Sequence, residues 1–190
     1  MPTGPTPCPD AQYFNPPPLT EPFFLYFAYG SCMCPVDLQR TFKESTRDYT
    51  LGPATLTGYK LRFTHLSKCR KGGVLDVVRS PGSVVEGVLY QLPWRLSELL
   101  DVREELPTQG YRQEMIAVTQ GDRTYDNVRT YVVVNKMARE LAPTDWYFNV
   151  VMRGATTCGL PEDYCWQLFQ HMYGLQRQRD AYSYGNSAAA

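Results

Sequence analysis

The sequence predicts an α+β domain built around a mainly antiparallel or mixed sheet. Segments rich in Val, Tyr, Thr and Leu are interleaved with segments of helical periodicity, but they lack the strict strand–helix alternation of a parallel α/β fold. The 190 residues are enough for one domain with a buried core. The hydrophobic fraction of 43% is typical of a globular protein rather than of a disordered chain.

Six segments are predicted to be strands because they are rich in β-forming residues and turn residues separate them. The stretch Gln120–Thr124, QGDRT, is predicted to be a hairpin turn. The predicted strands are Phe23–Tyr29, Tyr49–Phe63 with a break at Gly52-Pro53, Gly73–Val78, Val84–Leu92, Tyr111–Thr119 and Arg123–Val134.

Four segments are predicted to be helices from their apolar spacing and their end residues. Pro93 suits the first turn of a helix, Thr144 is a cap residue, and Gly159 would end the helix that follows Thr144. The predicted helices are Pro35–Phe42, Pro93–Arg103, Thr144–Thr157 and Pro161–Tyr173.

The composition of the two ends predicts tails around a single domain. Residues 1–22 hold eight prolines, which favours a polyproline-like or disordered N-terminal segment. Residues 176–190 lack apolar periodicity and are predicted to be a disordered C-terminal tail. The domain itself is predicted to span residues 23–175.

Charge and hydropathy exclude several classes of function. Lys and Arg total 19 and Asp and Glu total 19, so the basic excess of a nucleic-acid-binding protein is missing. No apolar run reaches the length of a membrane span, and the N-terminus lacks the pattern of a secretory signal. We therefore expect a cytoplasmic protein with no nucleic-acid or membrane partner, either a monomer or a homodimer.

The six cysteines have no spacing typical of a disulfide framework. Cys32 and Cys34 form a C-x-C pair, but no second pair follows, and His65 and His171 are isolated. A structural zinc site needs about four such ligands, so free thiols are the preferred interpretation and no metal is predicted.

The segment FLYFAYGSCM, Phe24–Met33, ends a hydrophobic strand in a Gly-Ser turn. Glycine leaves the backbone accessible, and successive N–H groups at such a turn can bind an anion or a carbonyl oxygen, above all where a helix follows. An ordinary strand-to-helix turn accounts for the same residues, so the segment alone leaves both interpretations open.

The same segment resembles the signature F-A-Y-G-S-N-[LM] of the γ-glutamylcyclotransferases. Further segments resemble that family in its order: a strand leading into an aromatic residue, an L-D-x-x-E-G-x-x-x-G-x-Y block, a tyrosine strand, and a G-A-x-x-x-G-L-P-x-x-Y helical pair. These segments are Ser80–Pro93, Leu96–Val118, Val128–Asn135 and Asp145–Tyr164.

The resemblance implies a small barrel-like sheet with flanking helices and a specific reaction. The α-amine of a γ-glutamyl group attacks its own side-chain amide carbon, which closes the ring of 5-oxoproline and releases an amine. The nucleophile is part of the substrate, and oriented intramolecular reactions can gain roughly 7–11 kcal/mol. The substrate is therefore expected to be a small γ-glutamyl compound, and no cofactor is required.

By the motif match, Glu104 is the carboxylate that acts as general acid and base. Helical projection from Leu96, Leu99 and Leu100 directs Glu98 and Glu105 towards solvent and leaves Glu104 at the edge of the apolar stripe. Projection alone does not distinguish a catalytic Glu104 from one in a surface ion pair.

The resemblance also implies a set of substrate-binding residues. The turn would hold the glutamyl group through backbone contacts, and two tyrosines match family tyrosines that reach the substrate. Arg62 and His65 are further candidates for a substrate carboxylate. The implied substrate-binding residues are Tyr29, Gly30, Ser31, Cys32, Met33, Tyr131 and Tyr147.

Two residues depart from the family pattern: Cys32 replaces the signature asparagine, and Glu105 replaces the glycine after the catalytic glutamate. Both changes bear on the choice of substrate more than on the chemistry. Two alternatives stay open, namely a non-catalytic ligand-binding protein of the same superfamily and an amidase that uses Cys32 as nucleophile. The amidase interpretation lacks a base, because no motif joins His65 or His171 to Cys32.

Overall fold

A closed five-stranded barrel forms the centre of the molecule. The computed structural model describes residues 20–187, with side chains through residue 181. Within these residues the strands are β1 (Phe23–Ala28), β2 (Thr50–Ser67), β3 (Gly72–Pro93), β4 (Tyr111–Gln120) and β5 (Arg123–Val133). They are arranged in the order β1-β3-β2-β4-β5, and every pair is antiparallel except β1 with β5. The predicted α+β class with a mixed, barrel-like sheet is confirmed.

Strands β2 and β3 form one long hairpin, which corrects two sequence predictions. The predicted break at Gly52-Pro53 is only a register shift inside β2. The predicted strands Gly73–Val78 and Val84–Leu92 belong to a single strand, because Thr57 pairs with Val84 while Tyr59 pairs with Arg79. Residues 80–83 therefore bulge out of the ladder, and the turn-like residues bend the strand without ending it.

Four α-helices pack around the barrel: α1 (Pro35–Phe42), α2 (Ser97–Arg103), α3 (Asp145–Thr157) and α4 (Glu162–Ser187). The predicted bounds of α1 and α3 are confirmed, and Thr144 caps α3 by accepting the backbone N–H of Tyr147 at 3.3 Å. Helix α2 follows a 3₁₀ turn and begins later than predicted. The helices lie on the barrel through apolar faces that include Leu38, Leu100 and Val151.

Helix α4 continues beyond the predicted domain boundary at residue 175. The side-chain amide of Gln176 donates to the carbonyl of Pro143 at 3.1 Å and to Asp145 Oδ1 at 2.9 Å, so this turn of α4 is bound to the start of α3. The predicted C-terminal tail is thus helical as far as Ser187. Residues 1–19 of the predicted N-terminal tail lie outside the described residues. No helix of the described part is long and apolar enough to cross a membrane.

Helix α3 packs against the turn that follows β1, because Gly154 allows a close approach. A Cβ atom at Gly154 would lie 2.6 Å from the backbone nitrogen of Cys34 and 2.8 Å from Met33 Cβ, too close for any larger residue. This contact fixes the Ser31–Met33 3₁₀ turn between α3 and the end of β1. The end of β1 and the C-terminus of α2 meet beside this turn.

Candidate active site

A polar pocket opens where β1, the Ser31–Met33 turn and the end of α2 meet. Its walls come from distant parts of the chain, and most of its lining side chains are tyrosines or charged residues. Apolar contacts come from Val74 and Leu75 of β3. The polar and aromatic lining comprises Tyr26, Tyr29, Ser31, Cys32, Ser67, Arg70, Arg103, Glu104, Glu105, Tyr111, Tyr131 and Tyr147.

Glu104 occupies the C-cap of α2 and directs its carboxylate into this pocket. One oxygen, Oε1, accepts the hydroxyl of Tyr26 at 3.3 Å and the thiol of Cys32 at 3.0 Å. Burial raises the pKa of Tyr26 well above its usual value, and the neighbouring Cys32 and Glu104 raise it further. Tyr26 therefore remains a hydrogen-bond donor to Glu104 at neutral pH.

Cys32 joins Glu104 to a buried arginine. Arg103 Nε donates to Cys32 Sγ at 2.9 Å, and the other nitrogens of Arg103 bind Thr41 Oγ1 at 2.6 Å, Ser31 Oγ at 3.3 Å and a carboxylate oxygen of Asp37. Burial raises the pKa of the Cys32 thiol to about 12, although the charge of Arg103 opposes the rise. Cys32 is therefore a neutral thiol that orients Glu104.

The predicted tyrosines line the same pocket. The hydroxyl of Tyr29 donates to the carbonyl of Tyr131 at 2.5 Å, and the hydroxyl of Tyr131 donates to Asp101 Oδ1 at 2.5 Å. The hydroxyl of Tyr147 accepts the backbone N–H of Leu75 at 3.1 Å. A Cβ atom at Gly30 would lie 3.0 Å from that hydroxyl, so glycine allows Tyr147 to approach the turn.

Glu105 lines the pocket, so the prediction that it points to solvent is wrong. Helix α2 ends at Arg103, and Glu105 adopts the left-handed conformation with φ 54°. Its carboxylate then accepts Ser67 Oγ at 3.2 Å and lies 3.2 Å from His65 Nε2. This conformation favours glycine, the residue of the family pattern at this position.

The predicted buried stripe of α2 is likewise wrong at Leu99, which is 44% exposed, whereas Leu96 and Leu100 are buried. Glu98 is exposed as predicted.

Seven of the eight residues predicted for the site line one pocket. The exception is Met33, whose fully buried side chain packs behind the turn and whose carbonyl accepts the hydroxyl of Tyr90 at 3.2 Å. Arg62 and His65 are engaged elsewhere: Arg62 lies 3.9 Å from Glu140, and His65 contacts Glu105.

Sequence reasoning missed eight residues that line the pocket: Tyr26, Ser67, Arg70, Val74, Leu75, Arg103, Glu105 and Tyr111. Strand periodicity does not connect Tyr26 with Tyr29, because residues three apart in a strand face opposite sides. Arg70 lies in the short connection between β2 and β3, and no periodic pattern assigns a direction to a side chain there.

The fold and the site together define a class: a small closed-barrel protein with a glycine turn beside a hydrogen-bonded carboxylate. Comparisons with known proteins agree with this class. Residues 84–168 match the model of the AIG2-like family. The chain is 35% identical to YkqA of Bacillus subtilis, which is named a putative γ-glutamylcyclotransferase. The alignment of 152 residues covers 80% of this chain and 53% of YkqA. It is 28% identical over 145 residues to the γ-glutamylcyclotransferase of Mus musculus, with 74% of each chain covered.

Solved structures give the same result. The crystal structure of YkqA from Bacillus subtilis superposes with a TM-score of 0.74 at 33% identity, over 82% of this chain and 56% of that one. A structure of a γ-glutamyl cyclotransferase superposes with a TM-score of 0.71 at 26% identity, over 77% of this chain and 86% of that one. The chain is therefore similar to the γ-glutamylcyclotransferases and to the AIG2-like family in both sequence and fold. It spans about half the length of the Bacillus protein.

Proposed function

We propose that the protein is a cyclotransferase that converts a γ-glutamyl amine or γ-glutamyl amino acid to 5-oxoproline and the free amine. The observation that carries the proposal is the position of Glu104. Its carboxylate lies in a tyrosine-rich pocket beside the Gly-Ser turn, and Tyr26 and Cys32 fix one of its oxygens. Such a group can accept and return a proton without moving.

The proposed reaction needs one base, one oxyanion site and one acid. Glu104 takes a proton from the substrate α-ammonium, and the free amine attacks the γ-carbonyl carbon to give a tetrahedral oxyanion. Glu104 then returns the proton to the leaving nitrogen, and the C–N bond breaks as the carbonyl re-forms. The second proton of the attacking nitrogen passes to the released amine, so 5-oxoproline leaves together with an ammonium. Because amine and carbonyl belong to one molecule, holding the substrate folded supplies much of the rate and no cofactor is required.

The turn after β1 suits the oxyanion. The N–H groups of Met33 and Cys34 bind the carbonyls of Gly30 and Ser31 at 3.0 and 3.1 Å, which closes the 3₁₀ turn. The N–H groups at the start of such a turn have no partner within it. We assign the N–H groups of Ser31 and Cys32 to the oxyanion, in the manner of other backbone oxyanion sites.

The pKa and the hydrogen bonds of Cys32 argue against its acting as a nucleophile. A nucleophilic thiol is usually activated by a lowered pKa and a nearby base. The pKa of Cys32 is instead raised to about 12, and its sulfur is hydrogen-bonded to Glu104 and Arg103. The two histidines contact Glu105 and Glu140.

The test is to incubate the protein with γ-glutamyl dipeptides and γ-glutamyl amines and to measure 5-oxoproline. Glu104→Gln preserves the size of the side chain but removes the base, and loss of general acid–base catalysis costs about 10²–10⁴-fold in kcat. The matched control is Glu98→Gln on the exposed face of α2, which should behave as wild type. An active Glu104→Gln variant, or an acyl intermediate trapped on Cys32, would overturn the mechanism.

A further inference from the structure

Two arginines line the pocket, and they differ in how their hydrogen-bond donors are used. Arg103 is 11% exposed at its side chain, and its guanidinium binds Cys32, Thr41, Ser31 and Asp37. A guanidinium has five N–H donors in a rigid fork, so these bonds occupy most of them. Arg103 therefore uses its hydrogen-bond donors to stabilise the turn.

Arg70 is held by stacking instead. Its guanidinium carbon lies 4.6 Å from the ring centre of Trp146 and 5.6 Å from that of Tyr147. Its closest carboxylate is Asp37, whose Oδ2 lies 3.8 Å from Nη2 and is already bound by Arg103. Among the described residues, the Arg70 guanidinium donates no hydrogen bond, although its side chain is only 21% exposed.

Partly desolvated guanidinium groups normally bind a carboxylate or phosphate through paired hydrogen bonds. Stacking on two rings orients the plane of the Arg70 fork while leaving its N–H groups available. Arg70 lines both the pocket of Glu104 and the adjoining groove formed with Ser67, Thr144 and Trp146. Its fork thus lies at the junction between the two.

We propose that Arg70 is a substrate-binding residue that takes a carboxylate of the γ-glutamyl substrate. This inference rests on the proposed cyclotransferase function. Two carboxylates have the required chemistry: the α-carboxylate of the glutamyl group, and the carboxylate of the leaving half when that half is an amino acid. The predicted candidates for this role, Arg62 and His65, are each bound to a glutamate and do not line the same pocket.

The kinetic test compares wild type with Arg70→Met and Arg70→Lys on two substrates, γ-glutamylalanine and γ-glutamylethylamide. The second lacks the carboxylate on its leaving half. Loss of a charge-assisted hydrogen-bonded pair should raise KM about 10- to 100-fold in Arg70→Met with a much smaller change in kcat. Arg70→Lys keeps the charge but loses the planar fork of donors, so its KM should lie between those of wild type and Arg70→Met.

The two substrates identify the carboxylate. A rise in KM confined to γ-glutamylalanine assigns Arg70 to the leaving half, and an equal rise for both substrates assigns it to the glutamyl group. Unchanged KM for both substrates overturns the proposal. The matched control is Arg79→Met, because Arg79 also stacks on a tyrosine, at 5.1 Å from the Tyr59 ring, but its side chain is 76% exposed and lies outside the pocket.

A binding measurement separates this proposal from the proposed function. Calorimetric titration of γ-glutamylalanine and γ-glutamylethylamide into Glu104→Gln, and into Glu104→Gln combined with Arg70→Met, requires no turnover. We expect the second variant to bind at least one of them about 10- to 100-fold more weakly. Equal affinity in the two variants for both ligands overturns the Arg70 assignment even if 5-oxoproline is formed. Absence of 5-oxoproline in wild type, with weaker binding in the double variant, overturns only the cyclotransferase function.

Discussion

The pocket has two sides that differ in how completely their polar atoms are paired. On the bonded side, defined by Asp37, Arg103, Cys32 and Glu104, each side chain is linked to the next by a hydrogen bond. On the open side, defined by Arg70 and Trp146, a stacking contact holds a cation at the mouth of an exposed groove. Buried, satisfied networks fix geometry, whereas accessible donors remain free to bind. This contrast is consistent with the proposed roles, in which Glu104 on the bonded side transfers the proton and Arg70 on the open side binds the substrate.

The largest expected effect comes from breaking the bonded side at Arg103. Arg103→Met leaves Asp37, whose side chain is 9% exposed, with Arg70 at 3.8 Å as its one remaining charged partner among the described residues. Removing one member of a buried ion pair costs about 3–5 kcal/mol. Chemical denaturation should show a loss of this size, and 5-oxoproline formation should fall with it. Arg70→Met should cost less than about 1 kcal/mol, and an equal cost for both arginines would remove the distinction between the two sides.

A smaller effect is expected at Cys32, the link between Arg103 and Glu104. Cys32→Ala removes the donor to Glu104 and leaves Arg103 Nε without its acceptor, which should cost about 1–3 kcal/mol in the free energy of unfolding. Cys32→Asn restores the residue of the family signature and offers both a donor and an acceptor. Thermal unfolding and turnover should therefore place Cys32→Asn nearer to wild type than Cys32→Ala. The reverse order would mean that the thiol does not orient Glu104.

The smallest effect is expected at Glu105, at the rim between the two sides. Its φ of 54° strains any residue that has a Cβ atom. Glu105→Ala and Glu105→Gly both remove the contacts to Ser67 and His65, but only glycine relieves the strain. Glu105→Gly should be more stable than Glu105→Ala by about 1 kcal/mol in chemical denaturation. Equal stability would show that the left-handed conformation is not retained in the variants.

Sequence reasoning located most of the fold because its evidence was local. Proline at the first turn and the apolar spacing of Pro35–Phe42 were sufficient for α1, and the Thr144 cap was sufficient for the start of α3. The long β2–β3 hairpin was divided wrongly, because Pro81 and Gly82 resemble a break. Only the pairing across β2 shows that they form a bulge.

The site was predicted through its motif and not through its contacts. The turn and Glu104 were found because family patterns cover them, whereas Glu105 was misplaced because the helical projection was carried two residues past the end of the helix at Arg103. The apolar spacing of a sequence predicts which face of a helix or strand a residue lies on, but it does not predict which residues its side chain contacts. The pairing of Arg103 with Asp37 and the stacking of Arg70 on Trp146 therefore required three-dimensional information.

The parallel contact that closes the barrel, between Tyr26 of β1 and Arg129 of β5, has a consequence for the order of folding. The β2–β3 and β4–β5 hairpins join residues that are close in the chain, whereas Tyr29 reaches Tyr131 across 102 residues and Tyr26 reaches Glu104 across 78. Contacts of such separation form slowly, because the loop between them must first be ordered. We therefore expect closure of the barrel and assembly of the site to come late in folding, after the two hairpins have formed.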